Sequence, residues 1–111
     1  MLPSEQRLNL AQAKWRYRYS DREFSTKLFK ILVKKNKLAA SRFGFLLTGK
    51  LGKASKRNLA KRRLTEAVQE KIGDLPSGFD FIFIGYPTII ESSYEEIRTS
   101  LHQVLPKISL L

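Results

Sequence analysis

One apolar stretch limits what this chain can fold into more than any other feature of its sequence. Residues 79–86 read FDFIFIGY, a nearly continuous apolar run of strand length. Such a run predicts the central strand of a sheet, with both of its faces covered by other parts of the chain. The chain has 111 residues, of which 42% are apolar, so we predict a single domain over residues 1–111.

Two further strands and a helix are predicted before this central strand. Residues 24–33 (FSTKLFKILV) are rich in aromatic and β-branched residues and predict one strand with unequally buried sides. Residues 42–48 predict the next strand. A helix is expected over residues 56–72, with Ser55 as its N-cap and Gly73 as its C-terminal stop. On that helix one apolar face is formed by Ala60, Leu64, Ala67 and Val68.

A last helix is expected over residues 93–105. Ser92 or Ser93, with a glutamate three residues later, forms a capping box at its start. Pro106 follows at the position where the helix is expected to end. Its apolar stripe consists of Tyr94, Ile97, Leu101, Val104 and Leu105.

The positive charge of the chain belongs to its first part. The formal net charge is +11, with 21 Lys and Arg against 10 Asp and Glu. Residues 1–63 carry a net charge of +15, whereas residues 64–111 carry −4. An excess of this kind predicts a polyanionic partner that binds the first part of the molecule.

The densest cluster of cations lies just before and within the first predicted helix. Seven positive charges fall in 14 residues without a single acid among them: Lys50, Lys53, Lys56, Arg57, Lys61, Arg62 and Arg63. Cations repel one another and oppose the positive end of the helix macrodipole, so a bound phosphate would relieve both penalties. The alternative is a merely solvated basic face. We interpret the segment as a phosphate-binding element.

Aromatic and basic residues alternate in a second region. Residues 14–19 read KWRYRY, which fits a strand by its period of two, although Trp15 and Tyr19 also lie one helical turn apart. Trp15, Tyr17, Tyr19 and Phe24 could stack on unpaired bases while neighbouring cations follow the phosphates. The alternative is that Trp15 and Phe24 are core residues.

Several classes of function are disfavoured by the composition. The chain has no Cys and a single His102, so thiolate zinc sites and histidine clusters are excluded. A nuclease centre would need convergent carboxylates or paired histidines, and near the basic region only Asp21 and Glu23 are acidic. No apolar run is long enough to cross a bilayer, so we expect a cytoplasmic protein without a membrane partner.

Residues 41–68 (SRFGFLLTGKLGKASKRNLAKRRLTEAV) resemble the signature of the bacterial ribonuclease P protein subunit. In that signature a strand and a Lys- and Gly-containing loop lead into a helix that opens with Arg-Asn-x-x-Lys-Arg. The matching residues here are Arg57, Asn58, Lys61 and Arg62. The order and spacing of the flanking segments are also similar, so the resemblance covers nearly the whole chain.

The resemblance implies an α+β fold, a two-layer αβββαβα sandwich similar to the second domain of a ribosomal protein, with a left-handed βαβ crossover. It implies that the protein assists a catalytic RNA, which performs the endonucleolytic removal of the 5′ leader from precursor tRNA. Mg²⁺ is then expected to be held mainly by RNA, and no protein partner is required. The competing hypotheses are a ribosomal or general RNA-binding structural protein and an autonomous nuclease.

Two sets of binding residues are carried over from the family. The expected contacts with the catalytic RNA are Lys50, Lys53, Lys56, Arg57, Asn58, Lys61 and Arg62. The expected contacts with the precursor tRNA leader, in a cleft between the first helix and the sheet, are Trp15, Tyr19, Phe24, Leu28 and Lys30. The chain departs from the family where Gly49 replaces the first of two adjacent lysines and where residues 13–19 replace the usual aromatic core of the first helix.

Overall fold

The structure is a computed structural model that describes residues 7–8 and 21–111. Among these residues, four strands form one sheet and two long helices cover it. The strands are β1 (Arg22–Ser25), β2 (Phe29–Lys35), β3 (Arg42–Leu46) and β4 (Phe79–Gly85). The helices are α1 (Ala54–Glu70) and α2 (Tyr94–Ile108), and short 3₁₀ helices occupy Gly49–Leu51, Ile72–Asp74 and Pro87–Ile89. The first helix of the predicted αβββαβα order would fall outside the described residues, and the remaining order is the one predicted.

The apolar run at residues 79–86 is a central strand, as predicted. The strand order is β1-β2-β4-β3, and β4 pairs antiparallel with β2 and parallel with β3. Its alternate residues Phe81 and Phe83 are completely buried in the main core beneath the helices. Ile82 faces the other way and packs with Leu8 and Leu32 in a small second cluster. Both faces of the strand are therefore covered.

The prediction of one strand over residues 24–33 is wrong, because the segment is a hairpin. β1 and β2 pair antiparallel, with Ser25 opposite Lys30. Thr26 closes the turn: its Oγ1 accepts hydrogen bonds from the N–H groups of Leu28 and Phe29 at 3.1 and 3.2 Å. A threonine hydroxyl that satisfies these backbone donors makes a tight turn without glycine or proline. The next predicted strand is present but ends at Leu46 rather than at residue 48.

Helix α1 begins earlier than predicted. Its N-cap is Lys53, which has an extended backbone and makes no side-chain cap bond, so Ser55 lies inside the first turn. The helix ends at Glu70, and the chain passes into a 3₁₀ turn that contains Gly73. The apolar face is confirmed: the buried residues of α1 are Ala60, Leu64, Ala67 and Val68.

Helix α2 starts as predicted and ends later. Ser93 accepts a hydrogen bond from the Glu96 N–H, and the Glu96 carboxylate accepts one from the Ser93 N–H, which completes the capping box. Pro106 does not end the helix, which continues to Ile108. Proline has no backbone N–H, so the helix loses one hydrogen bond there. Ile108 is fully buried in the main core, and this burial favours the last turn.

Candidate nucleic-acid interface

The loop between β3 and α1 is shaped by backbone contacts that bring its lysines to the start of the helix. We call residues 49–53 the basic loop. Gly52 has φ +127°, a conformation that favours glycine. Arg57 Nε donates a hydrogen bond of 3.0 Å to the Gly52 carbonyl oxygen. Arg57 therefore holds the loop against the first turn of α1.

The N-terminus of α1 favours an anion. Its first turn has no acidic residue, and no side chain accepts a hydrogen bond from its free N–H groups. The first N–H groups of a helix carry a partial positive charge and need acceptors. Lys53 at the N-cap adds a full positive charge at the same place. A phosphate group would supply both the acceptors and the opposite charge.

The predicted cations fall into two groups in the structure. Lys56 forms an exposed ion pair with Glu91 at 3.3 Å, and Arg63 donates a 2.9 Å hydrogen bond to the Ser92 carbonyl oxygen. These bonds tie α1 to the segment before α2. Four other cations are exposed and have no partner among residues 7–8 and 21–111. We call these four the free cations: Lys50, Lys53, Lys61 and Arg62.

Neighbouring residues of α1 add polar and apolar groups to this surface. Asn58 is exposed, as its predicted role requires. Leu59 is 37% exposed and lies among cations on the helix, although the sequence pattern alone did not identify it as a surface residue. Its position about 80° beyond the edge of the arc of buried residues is the signal that could have done so. The surface therefore offers charge, an amide and one apolar side chain.

The predicted leader residues that the structure describes are not brought together. Trp15 and Tyr19 lie outside the described residues. Phe24 and Leu28 are only 8% and 7% exposed and belong to the main core, whereas Lys30 is partly exposed and pairs with Glu23 at 3.4 Å. The assignment of Phe24 and Leu28 to an open cleft is therefore corrected. The alternative reading of Phe24 as a core residue is the one that the structure supports.

Lys30 belongs to the face of the sheet that α1 and α2 do not cover. Side chains of paired strands alternate between the two faces, so Lys30 shares its face with Leu32 and Ile84. At the margin of this face, the Ser25 and Tyr86 hydroxyls are hydrogen-bonded at 2.9 Å. Neither Leu32 nor Ile84 was predicted as a site residue, although the alternation of side chains along β2 and β4 indicates that both share a face with Lys30. This face combines Lys30, which is paired with Glu23, and Lys34 with apolar side chains.

The carboxylates considered for a nuclease centre have structural partners. Asp21 accepts a 2.9 Å hydrogen bond from the Lys35 N–H, and Glu23 pairs with Lys30. Asp80 is 6% exposed and receives two hydrogen bonds from Arg42, at 2.8 and 2.7 Å. These bonds raise the pKa of Arg42 above its ordinary value. The described part of the chain contains no group of three His, Asp or Glu residues that could hold a metal ion.

The structure also shows where His102 lies and whether a helix could span a membrane. His102 is exposed on α2 and lies beside Lys71 and Arg98 in a small surface cleft, away from the basic loop. No helix in residues 7–8 and 21–111 is long and apolar enough to cross a membrane.

Comparison with known proteins identifies relatives along the whole chain. A protein-family model described as Ribonuclease P matches residues 2–109. A ribonuclease P protein component from Chloroflexus aggregans is 33% identical over 97 residues, which cover 86% of this chain and 72% of the relative. One from Alkaliphilus metalliredigens is 31% identical over 90 residues, covering 81% of each protein.

Solved structures give the same result for the fold. The RNase P protein from Thermotoga maritima superposes with a TM-score of 0.82 at 27% identity, covering 92% of this chain and 96% of that one. The RNase P protein from Staphylococcus aureus superposes with a TM-score of 0.80 at 24% identity, covering 92% and 94%. At 24% identity, the likeness to the Staphylococcus aureus protein concerns the fold alone.

Proposed function

The chain belongs to the ribonuclease P protein family, and on that premise we propose that it binds a catalytic RNA and the 5′ leader of precursor tRNA. Together with that RNA it assists the endonucleolytic removal of the leader in the cytoplasm. The observation that carries the proposal is the surface formed by the basic loop and the start of α1. There Lys50 and Lys53 adjoin a helix N-terminus that has no acid in its first turn and no side-chain cap, and Lys61 and Arg62 follow on the same helix.

The free cations and the helix start have different tasks in this proposal. Lys50, Lys53, Lys61 and Arg62 neutralise phosphates, and neutralisation supplies most of the sequence-independent affinity for RNA. The N–H groups of the first turn of α1 add directional hydrogen bonds to the same phosphates. Arg57 keeps the loop in register with the helix, and Asn58 offers an amide beside it. Lys56 joins the surface when RNA competes with Glu91 for its ammonium group.

The leader site is proposed on the face of the sheet that carries Lys30. An extended single strand binds through stacked bases and neutralised phosphates. Lys30 supplies charge on that face, and the partly exposed Ile84 opposite it supplies apolar surface. Trp15 and Tyr19 remain proposed stacking residues. Phe24 and Leu28 contribute from the opposite side, where they support β1 and the turn that follows it.

The chemical step is assigned to the RNA. Mg²⁺ bound mainly by RNA would supply the activated water and the charge stabilisation that phosphodiester hydrolysis requires. The protein lowers the repulsion between two polyanions and favours substrate over leaderless product. This preference requires contacts that only the precursor makes. The sheet face can provide such contacts, whereas the basic surface meets the catalytic RNA in both states.

Cleavage of precursor tRNA at low Mg²⁺ tests the proposal. The reaction is measured with a bacterial ribonuclease P RNA alone, with the protein alone, and with both. We expect stimulation only in the mixture. Cleavage by the protein alone would favour an autonomous nuclease, and the absence of stimulation would favour a structural RNA-binding protein.

Removing two free cations should weaken assembly with the catalytic RNA. For the double variant Lys61→Ala and Arg62→Ala, we expect a flatter dependence of affinity on salt, by about 0.7 for each lost single-strand phosphate contact. The dissociation constant is measured across a salt series. Lys107→Ala, an exposed lysine on α2, is the matched control. Identical affinities of the double variant and the wild type at every salt concentration would contradict the assignment.

Lys30→Ala tests the leader site separately. Loss of one phosphate contact on the sheet face should weaken binding of precursor tRNA to the holoenzyme several-fold and leave binding of mature tRNA unchanged. The two dissociation constants are measured under the same conditions, with Lys27→Ala in the neighbouring turn as the control. An equal loss for both tRNAs would argue against leader contact at Lys30.

A further inference from the structure

The turn between β2 and β3 is built more rigidly than a surface connection requires. Asn36 organises it: its Nδ2 donates to the Ala40 carbonyl oxygen at 3.1 Å and to Asp80 at 3.0 Å. Its Oδ1 accepts a 2.8 Å hydrogen bond from the Leu38 N–H. The Asn36 N–H in turn donates to the Gly78 carbonyl oxygen at 3.0 Å. The turn is thus anchored to the segment that leads into β4.

This order is maintained at a cost in backbone energy. Lys37 has φ +60°, and among the described residues it is the one non-glycine residue with positive φ. A left-handed conformation costs a residue with a β-carbon about 1 to 2 kcal/mol. Conformations of this kind persist where the surroundings enforce them, and they are concentrated at functional sites. The strain at Lys37 is therefore a reason to expect that the turn has a function.

The turn presents cations and an apolar side chain to solvent. Lys35 and Lys37 are exposed. Leu38, which follows Lys37, is 50% exposed. Two carboxylates near the turn are engaged: Asp21 accepts a hydrogen bond from the Lys35 N–H, and Asp80 accepts hydrogen bonds from Asn36 and Arg42. An apolar group with flanking lysines is complementary to a nucleotide, whose base or ribose is apolar on its face and whose phosphate is anionic.

A surface cleft of about 210 Å³ adjoins the turn. Its lining includes Phe43, Ile72 and Leu75, with Ala39 and Ala40 at the side of the turn. The Ser41 hydroxyl donates to the Pro76 carbonyl oxygen at 2.6 Å and accepts a bond from the Phe79 N–H, which fixes the walls. Pockets that enclose a drug-sized ligand measure roughly 300 to 1,000 Å³, so this cleft suits a smaller flat group such as one base.

We propose that the β2–β3 turn and this cleft form a second RNA-binding site, which holds an unpaired nucleotide at the end of β3 opposite the basic loop. Its base packs against Leu38 and the cleft, and Lys35 and Lys37 neutralise its phosphates. The proposal rests on the proposed function, because it takes the partner to be the same RNA. The five residues of β3 separate the two sites by about 15 Å, so the protein holds two separate stretches of RNA.

The absence of cysteine from the chain allows the site to be tested by a single attached probe. Within the described residues, three large apolar side chains are exposed: Leu38, Leu59 and Leu110. Each is replaced in turn, as Leu38→Cys, Leu59→Cys and Leu110→Cys, and modified with a photoactivatable azidophenacyl group. The modified proteins are irradiated in complex with a bacterial ribonuclease P RNA, and the crosslinked nucleotides are mapped.

We expect crosslinks from positions 38 and 59 to different stretches of RNA, and none from position 110. Crosslinks from position 59 without any from position 38 would overturn the second site and leave the proposed function intact. The absence of crosslinks from both positions would contradict both proposals. Crosslinks from all three positions with equal yield would show non-specific contact and would also overturn the second site.

The affinity of the same RNA provides an independent measurement. In the double variant Lys35→Gln and Lys37→Asn, asparagine tolerates the left-handed conformation at position 37. We expect the slope of log affinity against log salt to fall by about 1.4, from two single-strand phosphate contacts. The matched control is the double variant Lys27→Gln and Lys107→Gln. Equal effects in the two double variants would mean that only overall charge matters.

Discussion

At the scale of single residues, one carboxylate of α1 makes two hydrogen bonds to α2. Glu70 accepts a 2.5 Å hydrogen bond from the Tyr94 hydroxyl and a 3.1 Å hydrogen bond from Arg98 Nε. The Tyr94 bond is the main cause that lowers the pKa of Glu70 below its ordinary value of 4.5, with Arg98 adding to it. The same bond raises the pKa of Tyr94 above its ordinary value of 10.0. The hydrogen bond between Glu70 and Tyr94 therefore stabilises the fold at pH values between 4.5 and 10.0.

Stability should reflect this pair at both ends of the pH range. Because the pKa of Glu70 is lowered on folding, its contribution is lost as pH falls below 4.5; because that of Tyr94 is raised, its contribution is lost as pH rises above 10.0. We expect Tyr94→Phe to reduce the urea midpoint more at pH 7 than at pH 3. Tyr86→Phe, which loses a bond to the neutral Ser25 hydroxyl, should cost the same at both pH values. A pH-independent loss in Tyr94→Phe would contradict this account.

At the scale of elements, the charged residues at the ends of α1 do not favour its macrodipole. A lysine occupies its N-cap, its first turn lacks acids, and its last turn lacks cations. Burial of one face against the sheet and α2 therefore has to maintain a helix whose termini are electrostatically unfavourable. The exposed face retains the cations that an RNA would use. Helix stability and RNA affinity thus impose opposite demands at Lys53.

Lys53→Asp should separate these two demands. An aspartate at the N-cap can accept a hydrogen bond from the first turn and complements the macrodipole, so we expect a gain of about 1 kcal/mol in the free energy of unfolding. RNA affinity should fall at the same time. Urea unfolding and RNA titration measure the two effects, with Lys27→Asp as a control that changes the charge without capping a helix. A less stable Lys53→Asp protein would contradict the prediction.

The elements also show which features local sequence can predict. Central strand β4, the buried face of α1 and the capping box of α2 follow from periodicity and short-range hydrogen bonds. The hairpin in residues 24–33 was missed because its turn contains no glycine or proline and a threonine hydroxyl closes it. The start of α1 was missed because no capping side chain marks Lys53. Whether Phe24 faces the core or an open cleft depends on which side the helices cover, and no local pattern specifies that.

At the scale of the whole molecule, the net charge of +11 is unevenly placed. The free cations lie at the basic loop and α1, and further lysines lie at the turn before β3. Several acids lie instead near the start of α2, where Glu91 pairs with Lys56 and Glu95 with Arg98. These pairs leave the four free cations unneutralised, and the repulsion among cations opposes folding.

Multivalent anions should stabilise the free protein. An anion that binds only the folded state adds about 1.4 kcal/mol to the free energy of unfolding at ten times its dissociation constant. We expect a higher thermal midpoint in sulfate than in chloride at equal ionic strength. The difference should shrink in the double variant Lys61→Ala and Arg62→Ala but persist in Lys107→Ala. Equal midpoints of the wild type in the two salts would contradict specific anion binding.

The strand order β1-β2-β4-β3 has a consequence for how the protein is made. The strand at the centre of the sheet is the last of the four in chain order, so β3 has none of the other three strands beside it until residues 79–85 leave the ribosome. The earlier part of the chain offers it the bridge between Arg7 and Phe43. By then the basic loop and α1 have already been synthesised, and the buried face of α1 has no completed sheet to pack against. Nascent chains therefore pass through a stage at which the free cations are outside the exit tunnel but unsupported by the fold. The segment proposed to bind RNA is therefore exposed to cellular RNA before it has its final shape.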